Sequence, residues 1–322
     1  MLEDSLYTEA KRFLDSYSFP LDFDLMISQL KKITLINYEL NDCFEDINIS
    51  FDESMLFGKS GSVSKTNISF NKTRLETLIN LKIDCNDANH IKKIYEFYNS
   101  YDEKLSHNKY EICLYEFMKK YIAGGYEHYF TRMGSYKTIP YELLDTIFHE
   151  NEHIFQYKYE KFLKNINECP NDLKSKLLLF TVLFNTIYSK LLKSNVDFEY
   201  ERQNHIFPIE FDARYEAMVK LNIIKQKFYS NDTNFAKHIV NSSLLPADFD
   251  IDFTCKKIFN DYENLYNLYE LHYGKDLYSA NLFVINNKTK ILQEIKNRYL
   301  TMQKIVVDNK KFLIKYVNNK GN

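Results

Sequence analysis

A predominantly helical α+β fold, with a small N-terminal sheet followed by a helical region, is what this sequence predicts. Three observations carry that expectation. Seven Gly and five Pro in 322 residues leave too few breakers for the tight turns of a sandwich or barrel. Period-two alternation of apolar residues is confined to short early stretches, whereas helical periodicity covers nearly everything from Tyr141 onward. Strands early and helices late give the α+β order.

The first helix is predicted over about Leu2 to Ser16 and ends at “FPLDFD”. Its acidic, amphipathic start lacks the basic-then-apolar layout of a secretory leader. “ITLINYEL” (Ile33–Leu40), “INISF” (Ile47–Phe51) and “TNISF” (Thr66–Phe70) alternate with period two between turn residues, and read as a small sheet. “GKSGSVSKT” (Gly58–Thr66) has the look of a phosphate-binding loop, but the glycine immediately before the lysine is missing, so it reads as a polar hairpin loop. Helical periodicity returns at Thr73–Leu81 and across Ala88–Tyr121, and an irregular piece, “AGGYEHYFTRMGSYKTIP”, follows. Thr138 and Pro140 suit a helix start, and no breaker interrupts Tyr141 to Ile166. A second well-marked helix runs from Phe207 to Phe228, with Pro208 in its first turn. The C-terminal stretches “IFNDYENLYNLYELHYG” and “KILQEIKNRYLTMQKIVV” have amphipathic helical periodicity suited to core and packing surface. These elements divide into an N-terminal α+β region, 1–135, and a helical region, 136–322. No Gly/Ser-rich linker separates them, so one continuous domain over 1–322 stays open.

Charge narrows the partners. Forty-two basic against 44 acidic residues leave a net charge of −2 without a basic block, which argues against a nucleic-acid partner. The longest apolar run, Leu177–Phe184, is far too short to span a bilayer. Cys43, Cys85, Cys113, Cys169 and Cys255 are scattered without a CxxC pair, as expected of reduced thiols in a cytoplasmic protein, with a non-standard export route left open.

Chemistry concentrates in “TIFHENEHIFQ”, Thr146 to Gln156. On a helical wheel Leu143, Leu144, Ile147, Phe148, Ile154, Phe155 and Phe162 form an apolar arc, opposite a narrow stripe of Asp145, His149, Glu152, His153, Gln156 and Glu160. His149 and His153 are four residues apart, so both imidazoles project from one face and can grip one ion. Glu150 lies about a quarter-turn away, beside such an ion rather than on it. The same stripe is also what the solvated face of an ordinary amphipathic helix looks like, so a third ligand is needed. Gln156 and Tyr159 stand where a metzincin would carry glycine and histidine, so that arrangement is absent. Glu210 lines up with Ala217, Leu221, Ile224 and Phe228 at the head of a later helix's apolar face. A carboxylate in such a row is costly to bury unless it is paired or bound to a cation. Facing inward, Glu210 would complete a His₂Glu set. Facing outward, it would only favour the helix dipole or pair with Arg214, with Glu216 and Glu201 as substitute ligands.

“HENEHIFQ” followed by “EFDARYEA” resembles zincin metallopeptidases of the gluzincin type, in several of which H-E-x-x-H-x-x-Q precedes a helix reading E-x-[DE]-A. The resemblance covers two short stretches within Thr138–Phe228. It implies a zincin-like catalytic region with Zn²⁺ held by His149, His153 and Glu210. Glu150 would be the general base toward a metal-activated water, and Gln156 and Asp212 would orient ligands or contact substrate. Some gluzincins carry an aspartate where this chain has Arg214. His205, Tyr215 and Tyr200 are candidate donors to a developing oxyanion, and His128 a candidate cleft residue. The implied function is zinc-dependent hydrolysis of a peptide or protein substrate. The alternatives are a catalytically inactive zincin-like binding or regulatory protein, and a zinc hydrolase acting on a non-peptide bond.

Overall fold

The computed structural model describes residues 2–18, 20–41, 47–53, 61–64, 67–85, 87–101, 108–123, 134–194, 196–198, 200, 206–243, 245 and 249–320. Their elements are α1 (Leu2–Ser16), α2 (Phe23–Glu39), β1 (Asn48–Asp52), β2 (Gly61–Ser64), β3 (Asn67–Asn71), α3 (Lys72–Asn80), α4 (Ala88–Ser100), α5 (Lys109–Ala123), α6 (Ile139–Tyr159), α7 (Leu173–Lys193), α8 (Pro208–Phe228), α9 (Thr233–Ser242), α10 (Ile251–Tyr273), α11 (Tyr278–Asn286) and α12 (Lys288–Lys320). The fold is the predominantly helical α+β class that the sequence predicts.

Three local expectations are corrected. Ile33–Leu40 is not a strand, because Ile33–Glu39 form the second half of α2. The Asp22 side chain caps that helix by accepting from the Leu25 amide, and Met26, Leu30, Ile33, Thr34, Asn37 and Tyr38 are buried at helical spacing. β-Branched residues resist a helix only weakly, and a buried helical face overrides them. Within “GKSGSVSKT”, Gly61–Ser64 form a strand rather than a loop, while 58–60 and 65–66 lie outside the described residues. The α-helix predicted to reach Ile166 stops at Tyr159 and continues as short 3₁₀ turns, Glu160–Leu163 and Ile166–Glu168. That tighter winding carries Phe162 and Leu163 into burial beside α7.

The described residues fall into two compact units: one within Met1–Glu150, Lys220–Ser242 and Asn309–Asn322, the other within Asn151–Val219 and Ser243–Asp308. In the first, the sheet order is β1-β3-β2, with β1 parallel and β2 antiparallel to β3. Ile49 pairs with Ile68, and Phe51 stacks on its partner Phe70 at 5.4 Å. Asn71 closes β3 and caps α3 by accepting from the Arg74 amide at 2.9 Å. Arg74 then grips Glu142 in the first turn of α6 through both terminal guanidinium nitrogens, a buried ion pair. Gly134 enables this grip. Its φ is +87°, and a Cβ there would sit 2.9 Å from Arg74 Nη2 and 3.2 Å from Glu142 Oε2.

In the second unit, the Asp172 side chain caps α7, which packs against α10 and α11. Phe180 stacks on Phe259 at 4.8 Å, and Tyr262 meets Phe180 edge-on at 5.3 Å. Among the described residues, no helix is long and apolar enough to cross a membrane.

Candidate metal centre

Glu160, beyond the end of α6, is exposed and His149 is half-buried, but the rest of the polar stripe is not a solvated face. Glu152 is 1% exposed, His153 8% and Gln156 0%, and Asp145 is buried as well. Polar side chains persist at such burial only with partners, so this line is an interior polar array.

His149 and His153 follow each other by one turn of α6, and Glu210 lies in the first turn of α8. Ile206 and Phe207, both buried, precede that turn, and the Glu210 amide donates to the Phe207 carbonyl at 3.1 Å. One ligand atom from each of His149, His153 and Glu210 lies within 4.8 Å of the others, with His153 Nε2 3.8 Å from Glu210 Oε2. The last separation is too long for a hydrogen bond. Two ligands about 2.1 Å from a shared tetrahedral ion stand about 3.4 Å apart, so small side-chain adjustments bring this set to coordination distance. Two imidazole nitrogens and one carboxylate oxygen form a donor set suited to Zn²⁺, with a fourth position open.

The environment of His153 strengthens that fit. Gln156 Nε2 donates to the Ile209 carbonyl at 3.0 Å and to Asp212 Oδ2 at 2.8 Å. The Ile209 carbonyl can only accept. Burial raises the Asp212 carboxyl while the Arg298 guanidinium opposes that shift, and the Asp212 oxygen turned to Gln156 accepts. The amide is thus fixed with Oε1 toward His153 Nδ1, 2.8 Å away. His153 must therefore donate from Nδ1, leaving the Nε2 lone pair toward Glu210. A histidine that ligates a metal through Nε2 needs this tautomer.

Behind Gln156, Asp212 is buried and bonded to Arg298 Nη1 of α12. Arg298 also bonds Glu294 Oε1 through Nε at 3.1 Å, pairs with Glu216 at 3.4 Å and covers the Tyr215 ring at 4.4 Å. Burial works against its charge, but Asp212 and Glu216 outweigh that effect and raise the guanidinium above its ordinary value.

Glu150 is half-buried, next in chain to His149. Glu216 is engaged with Arg298 and stands apart from the His₂Glu cluster. Tyr215 lies under that guanidinium, and burial raises its phenol. The Tyr200 ring belongs to an aromatic group with Phe184, Tyr188 and Phe207. His205, His128 and Glu201 lie outside the described residues. Cys85, Cys113, Cys169 and Cys255 are free, and burial pushes Cys85 up to about 12 and Cys169 and Cys255 up to about 11, away from thiolate chemistry. Cys43 lies outside the described residues.

Sequence reasoning missed Arg298, although a signal was there. It interrupts the buried row Ile291, Ile295, Tyr299 and Met302 of α12, much as Glu210 heads an apolar row of α8. It also missed the partner of Asp145, which is His238 of α9, with Nε2 3.2 Å from Oδ2. No family model matches the chain, and no curated protein or solved structure matches it.

Proposed function

We propose that this chain is a metal-dependent hydrolase. Within that class, the reading favoured is a zinc peptidase of gluzincin type acting on a peptide or protein substrate. One observation carries the proposal: a ligand atom from each of His149, His153 and Glu210 lies within 4.8 Å of the others, with Gln156 Oε1 2.8 Å behind His153 at Nδ1. Zn²⁺ in such a set supplies Lewis acidity, polarising a carbonyl and acidifying water. His149 and His153 would each offer an imidazole nitrogen to the ion. Glu210 would lower the net charge of the centre. Glu150, one residue past a ligand, accepts a proton on its carboxylate as water attacks and returns it to the departing amine. Its presence favours hydrolysis over a purely structural metal, which needs no base.

Metal analysis of the purified, zinc-repleted protein, paired with Glu150→Gln against a broad peptide library, tests the proposal. The expected result is one zinc per chain in both proteins, with cleavage reduced about 10²–10⁴-fold in the variant. Stoichiometric zinc without any wild-type cleavage of peptides overturns the peptidase reading. No zinc after repletion overturns the metal reading altogether.

A further inference from the structure

Hydrogen-bonding groups that can only donate or only accept give a chain of bonds a direction. Arg298 donates only, the carboxylate of Asp212 accepts only, and so does the Ile209 carbonyl. Gln156 and His153 could each be turned the other way. A flipped Gln156 amide would present Nε2 to His153, force Nδ1 to accept and place the proton on Nε2. We infer that Arg298, the positioning residue at the head of Arg298–Asp212–Gln156–His153, fixes the polarity of the chain and keeps His153 Nε2 open as a metal ligand.

Each link joins two buried groups. Arg298 Nη1 bonds Asp212 Oδ1, and Asp212 Oδ2 accepts from Gln156 Nε2 at 2.8 Å. Gln156 Oε1 accepts from His153 Nδ1 at 2.8 Å. Arg298 is 4% exposed, Asp212 1% and Gln156 0%, so water has little access to substitute for a lost partner. The Asp212 carboxylate is clamped on one oxygen by a cation, which leaves its other oxygen to face the amide. Arg298 is anchored in turn by Glu294 and Glu216, so the head of the chain is itself held in place.

This deepens the proposed metal centre and rests on it for the meaning of the open nitrogen, but the tautomer is measurable without metal or substrate. In Asp212→Asn, Arg298 still claims the side-chain oxygen, and the new amide nitrogen must face Gln156. The Gln156 amide then faces a donor at 212 against the single neutral bond to the Ile209 carbonyl. For the inference to hold, the donor clamped by Arg298 must prevail, so that the amide flips and the proton moves to His153 Nε2. In the double variant Asp212→Asn/Arg298→Met nothing claims that oxygen. The substituted amide can turn it toward Gln156, and the original polarity returns.

The experiment is ¹⁵N-edited NMR of the imidazole rings in metal-stripped protein, with His153 assigned from the spectrum of His153→Gln. Zinc affinity is measured alongside by chelator competition. Expected are an Nδ1–H tautomer in wild type, an Nε2–H tautomer with zinc affinity down roughly ten- to hundredfold in Asp212→Asn, and recovery of both in the double variant. An Nε2–H tautomer in wild type, or Nδ1–H retained in Asp212→Asn, overturns the inference. So does a flip that Arg298→Met fails to reverse in a folded double variant. Should the double variant not fold, the single variant decides. A flip as expected in a protein that never binds zinc leaves the hydrogen-bond chain standing and removes the metal reading alone.

Discussion

Helix α6 meets ionisable partners at successive turns, and they differ in one respect. In the first turn Glu142 is gripped by Arg74, and one turn on Asp145 meets His238 Nε2 at 3.2 Å. Both are closed pairs in the sense that the two side chains meet directly, within hydrogen-bonding distance. Further along, His153 Nε2 and Glu210 Oε2 stand 3.8 Å apart with His149 beside them. There the bond that fixes the ring comes from behind, through Gln156. A buried histidine beside a carboxylate is thus not in itself a metal ligand. What distinguishes the open pair is a separation that fits an ion and a third group that holds the imidazole without using its inward nitrogen.

The sharpest way to break this contrast is to remove one histidine from each kind of pair. His153→Ala is expected to lose zinc by more than the roughly ten- to hundredfold typical of losing a supporting partner. His238→Ala is expected to leave zinc affinity within about threefold of wild type, outside the range of even a supporting partner. If isothermal titration shows equal losses, the closed pair belongs to the centre and the distinction is wrong. Stability should rank the closed pairs. Arg74→Met leaves Glu142 buried without its cation and should cost about 3–5 kcal/mol in urea unfolding. His238→Ala removes one partner of a buried carboxylate and should cost about 1–3 kcal/mol. The reverse order would mean that the Arg74–Glu142 grip is not what anchors the start of α6.

How much of this was legible follows the same line between local and distant partners. His149 and His153 are four apart in one helix, and periodicity alone puts them on one face. Glu210 was legible because a carboxylate at the head of an apolar row is costly without a partner. Arg298 lies 86 residues beyond its partner Asp212, and no spacing rule links positions that far apart. Only its place in the buried row of α12 marked it, and in a chain with 42 basic residues that mark is faint. The fold class was readable from scarce Gly and Pro, but Ile33–Leu40 was not. Eight residues with β-branched alternation look like a strand until the window extends back to the Asp22 cap.

The smallest effect concerns a carboxylate that is neither buried nor closed. Asp172 is exposed at the start of α7, where it accepts from the Ser175 amide at 2.9 Å and Ser175 Oγ at 2.6 Å. Burial works to raise its carboxyl, but these bonds outweigh it and hold the group below the ordinary carboxylate value. A depressed folded-state value means the ionised cap stabilises the fold above the unfolded value, about 3.9, and loses that contribution as pH falls through the folded value. Asp172→Ala should therefore cost about 1 kcal/mol near neutral pH. The gap between the urea midpoints of variant and wild type should narrow as pH falls below about 4. A gap that stays constant into acid would mean the cap acts by geometry alone, as a neutral acceptor could. Charge would then matter only where α6 buries it.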